Sequence, residues 1–335
     1  MRERPRATPP TQYCIPDMPT RQGEVLRARA EAARAHADLG IDPNEPIDVF
    51  AAIRRAGIWL VFNEFDGLLG AMSREGVGGV MVNSARGVGM QRFTAAHELG
   101  HWYLHDGSVV WDTDEQMMRD GSLQEVGAQE FAAAFLMPRR LVNHSLRALG
   151  VERGGNINAT VAYSLSRNLG VSYEGALVQL QRIGAISRGQ QVQLTKRSPA
   201  SIKSSLVGGR RVEPSAQVWT PSVTQLDQLR VTVGDEIAVE LPENRTTGYR
   251  WDLSQANPQL TILSDEFVRG DSDLIGAPGH RNLVFRADAT GVLEQALPLR
   301  RVTQSESAPA EVLHLRADVR LPPERENALI LGQVH

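Results

Sequence analysis

The fold of this chain is decided by Phe93-Thr94-Ala95-Ala96-His97-Glu98-Leu99-Gly100-His101-Trp102-Tyr103-Leu104-His105. His97 and His101 are four residues apart, so on an α-helix they share one face, one turn above the other. That spacing lets two imidazoles reach one tetrahedral metal ion, and Glu98, the next residue round, is placed to handle the protons of a nearby water. Solvated helices carry this spacing by accident too. Here Phe93, Ala95, Ala96, Leu99, Trp102 and Leu104 predict a helix buried on most sides. Two histidines and a glutamate on a buried helix need partners, and a metal supplies them.

Upstream, Thr20 to Leu39 reads as a helix ending at Gly40, with Val25, Leu26, Ala30, Ala33 and Ala37 near helical spacing. A second helix opens at Pro46–Phe50 and carries Val49, Ile53 and Ala56. Short strands are expected at 58–62, 68–72 and 77–83. Small strands leading into such a helix suit a zinc peptidase, because an edge strand beside the metal can pair with an extended substrate.

A third ligand is sought downstream. Asp112, Asp114, Glu115 and Asp120 lie in a polar, irregular stretch, whereas 123–137 reads as a helix rich in small residues that holds Glu125 and Glu130. Glu125 shares a stripe with Ala128, Ala132 and Phe135, and Glu130 with Val126, Ala133 and Ala134. Helix geometry alone does not choose between them. His105 shares the ligand face and is expected to pack or to support rather than to ligate, and Arg92, Trp102 and Tyr103 read as structural.

The 335 residues suggest two or three domains, and 41% hydrophobic with 22% charged residues is an ordinary globular composition. A net charge of -3 leaves no basic footprint for nucleic acid. The single cysteine, Cys14, excludes an internal disulfide framework and fits a reducing, cytoplasmic setting. No signal peptide or membrane span is expected. Residues 1–19, rich in Pro and Arg, read as disordered.

The stretches QRFTAAHELGHWYLH, from Gln91, and EVGAQEFAAAFLMP, from Glu125, resemble the ImmA/IrrE family of zinc metallopeptidases. The resemblance spans about residues 22–186. It implies that the first Glu of the second stretch, Glu125, completes a Zn²⁺ site with His97 and His101, leaving a fourth position open, and that Glu98 is the catalytic acid/base. Ala128 matches the family pattern, Gln129 stands where Asn is usual, and Gly127 replaces a frequent second Glu. That last departure is expected to cost a supporting contact, not the metal. The family implies a narrow intracellular target, such as a repressor or other regulator cleaved in a stress or mobile-element response.

Residues 157–186 read as two helices joined at Gly170-Val171-Ser172, a helix-turn-helix-like pair. Arg167, Arg182 and Arg188 are too few for DNA reading, so support of the peptidase domain is expected. Residues 187–217 read as a linker with little regular structure. Beyond them the period becomes two, in Val231, Val233, Ile237, Val239 and Leu241, then Leu283, Phe285 and Ala287, then Leu313, Leu315, Ala317, Val319 and Leu321, which predicts an antiparallel sandwich.

The stretch VTVGDEIAVELPENRTTGYRWDL is similar to chagasin, an immunoglobulin-like inhibitor of papain-type cysteine peptidases, with the likeness covering about 218–322. Its three binding loops correspond to Asn244-Arg245-Thr246-Thr247-Gly248-Tyr249, to 276–280 around Gly279, and to Arg301-Val302-Thr303. Arg245 replaces a proline and the Pro-Trp of the third loop is missing, which leaves the fold expectation intact and disfavours cysteine-peptidase inhibition. The whole reads as an α+β zincin-like metallopeptidase domain (20–186), a linker (187–217), an all-β immunoglobulin-like sandwich (218–322) and a tail (323–335). Arg245 and Arg301 suggest an acidic protein partner at the loops; self-inhibition or a non-catalytic binding role is the alternative.

Overall fold

The structure, a computed structural model, describes residues 20–76, 78–105, 109–113, 122–270, 278–304 and 308–332. The expected disorder of 1–19 lies outside these residues, as do Asp114, Glu115, Asp120, Gly276 and Ala277.

Helix α1 (Arg21–Asp38) starts where the Thr20 hydroxyl accepts from Gly23 N–H at 3.2 Å. Its buried face is Ala28, Ala32, Ala35 and His36, while Leu26 is 61% exposed. The helix is where its spacing placed it, but the buried residues are a different, small set, because another helix lies close against them. Helix α2 (Val49–Arg55) is capped by Asp48, which accepts from Ala51 N–H at 3.0 Å.

Strands β1 (Trp59–Asn63), β2 (Leu68–Ser73), β3 (Gly79–Asn83) and β4 (Val109–Thr113) form one sheet in the order β1-β3-β2-β4. The sequence suggested only the first three. β4 comes from the stretch read as irregular; its backbone pairs antiparallel with β2 and forms the outer edge. The motif helix α3 (Val88–Leu104) packs on β2 and β3. Its last carbonyls are held by two arginines: Arg74 donates to His105 O at 2.9 Å and to Trp102 O, and Arg27 donates to Leu104 O.

Helix α4 (Leu123–Leu136) lies against both α1 and α3. Helices α5 (Arg139–Ala148), α6 (Ala159–Leu169) and α7 (Tyr173–Arg182) follow, with Gly170 at φ 65° ending α6 in the left-handed conformation that glycine adopts without strain. The α6–α7 turn is fastened to the motif helix, because half-buried Arg92 donates from Nε to Gly170 O at 2.7 Å and from a terminal nitrogen to Ile47 O.

The expected unstructured linker contains two helices, α8 (Arg188–Thr195) and α9 (Pro199–Leu206). Ser187 and Ser198 cap them, accepting from Gln190 N–H at 3.1 Å and Ser201 N–H at 3.2 Å, and Pro199 occupies the first turn. Their short polar sequence hid this: α9 is held by burial of Ile202 and Val207, and α8, which buries no residue, by Gln190 Nε2 donating to Ile157 O at 3.0 Å and Tyr173 O–H to Leu194 O at 3.1 Å. Lys203, nearly buried, donates to Glu213 O, Pro214 O and Ala216 O at 3.2, 3.0 and 2.8 Å.

The C-terminal half has two four-stranded sheets. One is β5 (Val218–Trp219), β7 (Glu236–Glu243), β10 (Gly279–Ala287) and β9 (Leu260–Arg269); the other is β6 (Leu229–Thr232), β12 (Glu311–Arg320), β11 (Gly291–Arg301) and β8 (Tyr249–Trp251). Their alternating residues meet in one core of Ile237, Val239, Leu241, Leu283 and Phe285 against Leu293, Leu297, Leu315, Ala317 and Val319. The two halves are not beads on a string. Val212, Ala216, Val218 and Val284 join the core of the N-terminal half, and Tyr163 O–H accepts from Val218 N–H at 3.1 Å. The tail is helix α10 (Pro323–Gly332), whose Asn327 returns to β1 by donating to Leu60 O at 3.1 Å.

Candidate metal centre

His97, Glu98 and His101 are 0%, 0% and 1% exposed on the middle of α3. A close helix crossing decides what meets them. A Cβ on Gly100 would lie 3.1 Å from Ala128 Cα, Ala128 O and Phe131 Cβ, so α3 and α4 approach there too closely to accommodate a side chain readily. Ser122 begins α4 by accepting from Glu125 N–H at 3.2 Å, which puts Glu125 in the first turn, where the helix dipole favours a carboxylate.

The result is a cluster of three donors. His97 Nε2 and His101 Nε2 are 3.1 Å apart, Glu125 Oε2 is 3.2 Å from the former, and Glu125 Oε1 is 3.3 Å from the latter. Two imidazoles and a carboxylate around one tetrahedral Zn²⁺, with bonds of about 2.0–2.2 Å, sit roughly 3.3 Å apart. The residues therefore fit the ion, and they are the one such cluster among the described residues. Burial works to raise the Glu125 carboxyl, but hydrogen bonds from His101 and His97 outweigh it and bring it to about 2. It is a carboxylate at neutral pH.

Position distinguishes the two glutamates: Glu125 lies beside both histidines. Glu130, five residues on, faces away from the histidines and joins Arg182 at 2.9 Å and Arg29 at 3.2 Å, tying α7 and α1 to α4. Glu98 lies under β2: a Cβ on Gly70 would be 2.7 Å from Glu98 Oε1 and would overlap Thr94 Cγ2. Sequence reasoning passed over Gly70; a glycine in a strand, marking a close approach, was the available signal.

His105 does not join the donors. Its Nδ1 is 3.2 Å from His101 Nδ1 and its Nε2 is 3.8 Å from Glu24 Oε1 on α1. Burial, helped by the charges of His101 and Arg27, pushes His105 down to about 4, so it is a neutral imidazole at pH 7. The gap left at Gly127 is not empty either. A Cβ there would be 2.5 Å from Glu24 Oε1, so a carboxylate from α1 fills the space. Trp102 lies under the Arg74 guanidinium at 4.5 Å and Tyr103 stacks on Phe131 at 5.6 Å.

The helix-turn-helix-like pair offers little charge. Arg167 is turned onto the Tyr163 ring at 5.2 Å and donates to Val171 O at 2.8 Å, while Arg182 is on Glu130.

At the far end of the C-terminal half, Asn244, Arg245, Thr246, Thr247, Gly248 and Tyr249 form a tight turn. Asn244 Oδ1 accepts from Thr246 Oγ1 at 2.6 Å, and Gly248 takes φ 78°. Strand pairing sets Gly279 beside Glu243 and Arg301 beside Tyr249, so the three segments share one end. Gly279 is a buried strand residue, not a loop tip. Arg245 is not a free cation: it donates to buried Glu243 Oε1 at 2.8 Å and covers the Phe267 ring at 3.9 Å. Arg301 stays exposed and borders a cleft with Arg250, Asp252 and Arg300.

Residues 53–181 match the IrrE N-terminal-like domain family, and residues 230–316 match the chagasin family peptidase inhibitor I42. No curated protein matches the chain significantly. Among solved structures, the cysteine protease inhibitor EhICP2 from Entamoeba histolytica is similar at 19% identity and a TM-score of 0.29, covering 32% of this chain and 100% of that one. PbICP-C, solved in complex with falcipain-2, is 16% identical with a TM-score of 0.20, over 33% of this chain and 95% of that one. A Mycobacterium tuberculosis transcriptional regulator is 15% identical with a TM-score of 0.33, over 81% of this chain and 82% of that one. The chain is thus similar to the IrrE N-terminal-like domain family in one segment and to the chagasin inhibitor family in another.

Proposed function

We propose that this chain is a zinc-dependent endopeptidase that cleaves a specific intracellular regulatory protein, and that its C-terminal sandwich, read as immunoglobulin-like, recruits that substrate or a partner. One observation carries the catalytic half: His97, His101 and Glu125 set three donors 3.1 to 3.3 Å apart, with Glu98 buried beside them on the same helix. Bound there, Zn²⁺ supplies Lewis-acid polarisation and an acidified water.

The chain's own residues do the rest. His97, His101 and the ionised Glu125 hold the ion, and Glu98, wedged against the Gly70 backbone, takes a proton from the attacking water and gives it to the departing amine. The outer edge of β4 offers main-chain groups to an extended peptide. A cytoplasmic setting is favoured by the single cysteine, and among the described residues no helix is long and apolar enough to cross a membrane. DNA is a poor partner, given where Arg167 and Arg182 are engaged.

A self-inhibited or non-catalytic binding protein is the second reading, favoured by the firm packing of the sandwich on the peptidase core through Val218 and Val284. Using Glu98→Gln as a trap separates the two. The substituted protein should retain zinc and hold a substrate that the wild-type chain cleaves. Zinc-loaded wild-type protein that cleaves nothing the trap captures would leave only the second reading.

A further inference from the structure

His101 turns Nε2 toward His97 and Glu125, so Nδ1 points away from the donors and lies 3.2 Å from His105 Nδ1. An imidazole that binds metal through Nε2 carries its proton on Nδ1. His105 must then accept at Nδ1, which places its own proton on Nε2, the nitrogen 3.8 Å from Glu24 Oε1. The first contact is a hydrogen bond; the second, at 3.8 Å, is longer than one, so the Glu24 carboxylate acts on the His105 N–H through its charge.

Glu24 is not there by chance of surface packing. Its carboxylate occupies the volume that any side chain on Gly127 would fill, as the 2.5 Å approach of a Cβ there shows. It is held from the other side by Arg27, one turn on, with Nη1 at 3.4 and 3.5 Å from its two oxygens. Arg27 in turn donates to Leu104 O at the end of the motif helix. Glycine at 127 and glutamate at 24 are thus one arrangement: the bare backbone of α4 admits an acid from α1.

We propose that Glu24 is a positioning residue for the metal centre, acting through His105 to fix the tautomer and ring orientation of His101. The inference rests on reading His97, His101 and Glu125 as a Zn²⁺ site. Carboxylates that orient a metal-bound histidine are worth about 10–100-fold in metal affinity. Glu24 reaches the ligand through an intervening ring, which puts its effect near the lower figure.

The test measures zinc affinity by competition with a chromogenic chelator, together with the thermal midpoint of the metal-free full chain. Glu24→Gln removes the charge and keeps the shape. It should weaken zinc binding about tenfold while the metal-free midpoint stays at the wild-type value. Adding Gly127→Asp to Glu24→Ala, which returns a carboxylate from α4 to the same space, should recover part of the affinity. Wild-type affinity in Glu24→Gln overturns the proposal. So does a loss matched by a fall in the metal-free midpoint, which would make Glu24 only a helix partner of Arg27. Failure of the wild-type chain to bind zinc at all would remove the metal reading beneath it.

Discussion

Gly70 and Glu98 touch across the β2–α3 contact so closely that a methyl group on the strand would sit 2.7 Å from the carboxylate. Gly70→Ala should push Glu98 out of line while leaving the histidines and Glu125 where they are. Proton handling of this kind is worth about 10²–10⁴ in rate. Peptide cleavage should fall by that order, with zinc content unchanged. Activity at the wild-type level would show that Glu98 does not depend on this contact.

Five variants separate ligand from base and ligand from structure. His97→Ala, His101→Ala and Glu125→Ala should lower zinc content on metal analysis, and Glu98→Gln should keep zinc and lose activity. Glu130→Ala should keep its zinc and lose about 1 kcal/mol of stability by denaturant melt, because Arg29 and Arg182 are partly exposed and their pairing is screened. Zinc lost from Glu130→Ala but kept in Glu125→Ala would reverse the assignment.

The helix crossing is equally exacting. Gly100→Leu would place a side chain where Ala128 and Phe131 already lie 3.1 Å from a Cβ. Overpacking of this kind costs about 1–3 kcal/mol. It would also move Glu125 off the histidines, so stability and zinc affinity should fall together. Leu at the exposed Ala33 position is the control and should change neither.

The metal-free chain should lose stability in acid in a defined window. Burial depresses His36 and His105 below their usual pKa of 6.5, His105 to about 4. A depressed histidine binds its proton more readily in the unfolded chain, so its contribution is complete above 6.5 and is lost as pH falls through the folded-state value. The thermal midpoint should drop between pH 7 and pH 4, and His105→Asn should make that drop shallower. An equal drop in both proteins would exclude His105 as a source.

Deleting the sandwich is a poor way to learn its role, because Val218 and Val284, like Ile202 and Val207 before it, belong to the core of the N-terminal half. Truncation after Ser187 should expose that core and yield aggregation-prone protein, visible by light scattering. Substitutions in the loops of the intact chain are cleaner. Arg301→Glu should reduce cleavage of the native substrate and leave cleavage of a short peptide unchanged if the sandwich recruits; faster peptide cleavage would favour self-inhibition. Arg245→Ala should act mainly on stability, since its guanidinium is already paired with Glu243 and stacked on Phe267.

The sequence alone determined the chemistry of the site and the type of each half. Residues four apart on a helix share a face whatever surrounds them, so His97 and His101, with Glu98 beside them, were readable from spacing, and the alternation within 231–241, 283–287 and 313–321 pointed to half-buried strands. Serine caps at 187 and 198 were also present in the sequence, but such short helices form only when tertiary contacts stabilise them. The tertiary structure decided what depends on approach between elements distant in the chain. It turned α1 to its alanine face and added β4 to the sheet. It set Glu125 rather than Glu130 beside the histidines, because α3 and α4 cross at Gly100 and Ala128. It brought Glu24 to His105 across the gap at Gly127. No periodicity within one segment encodes those contacts, since each is fixed by the shape of the surface against which the segment packs.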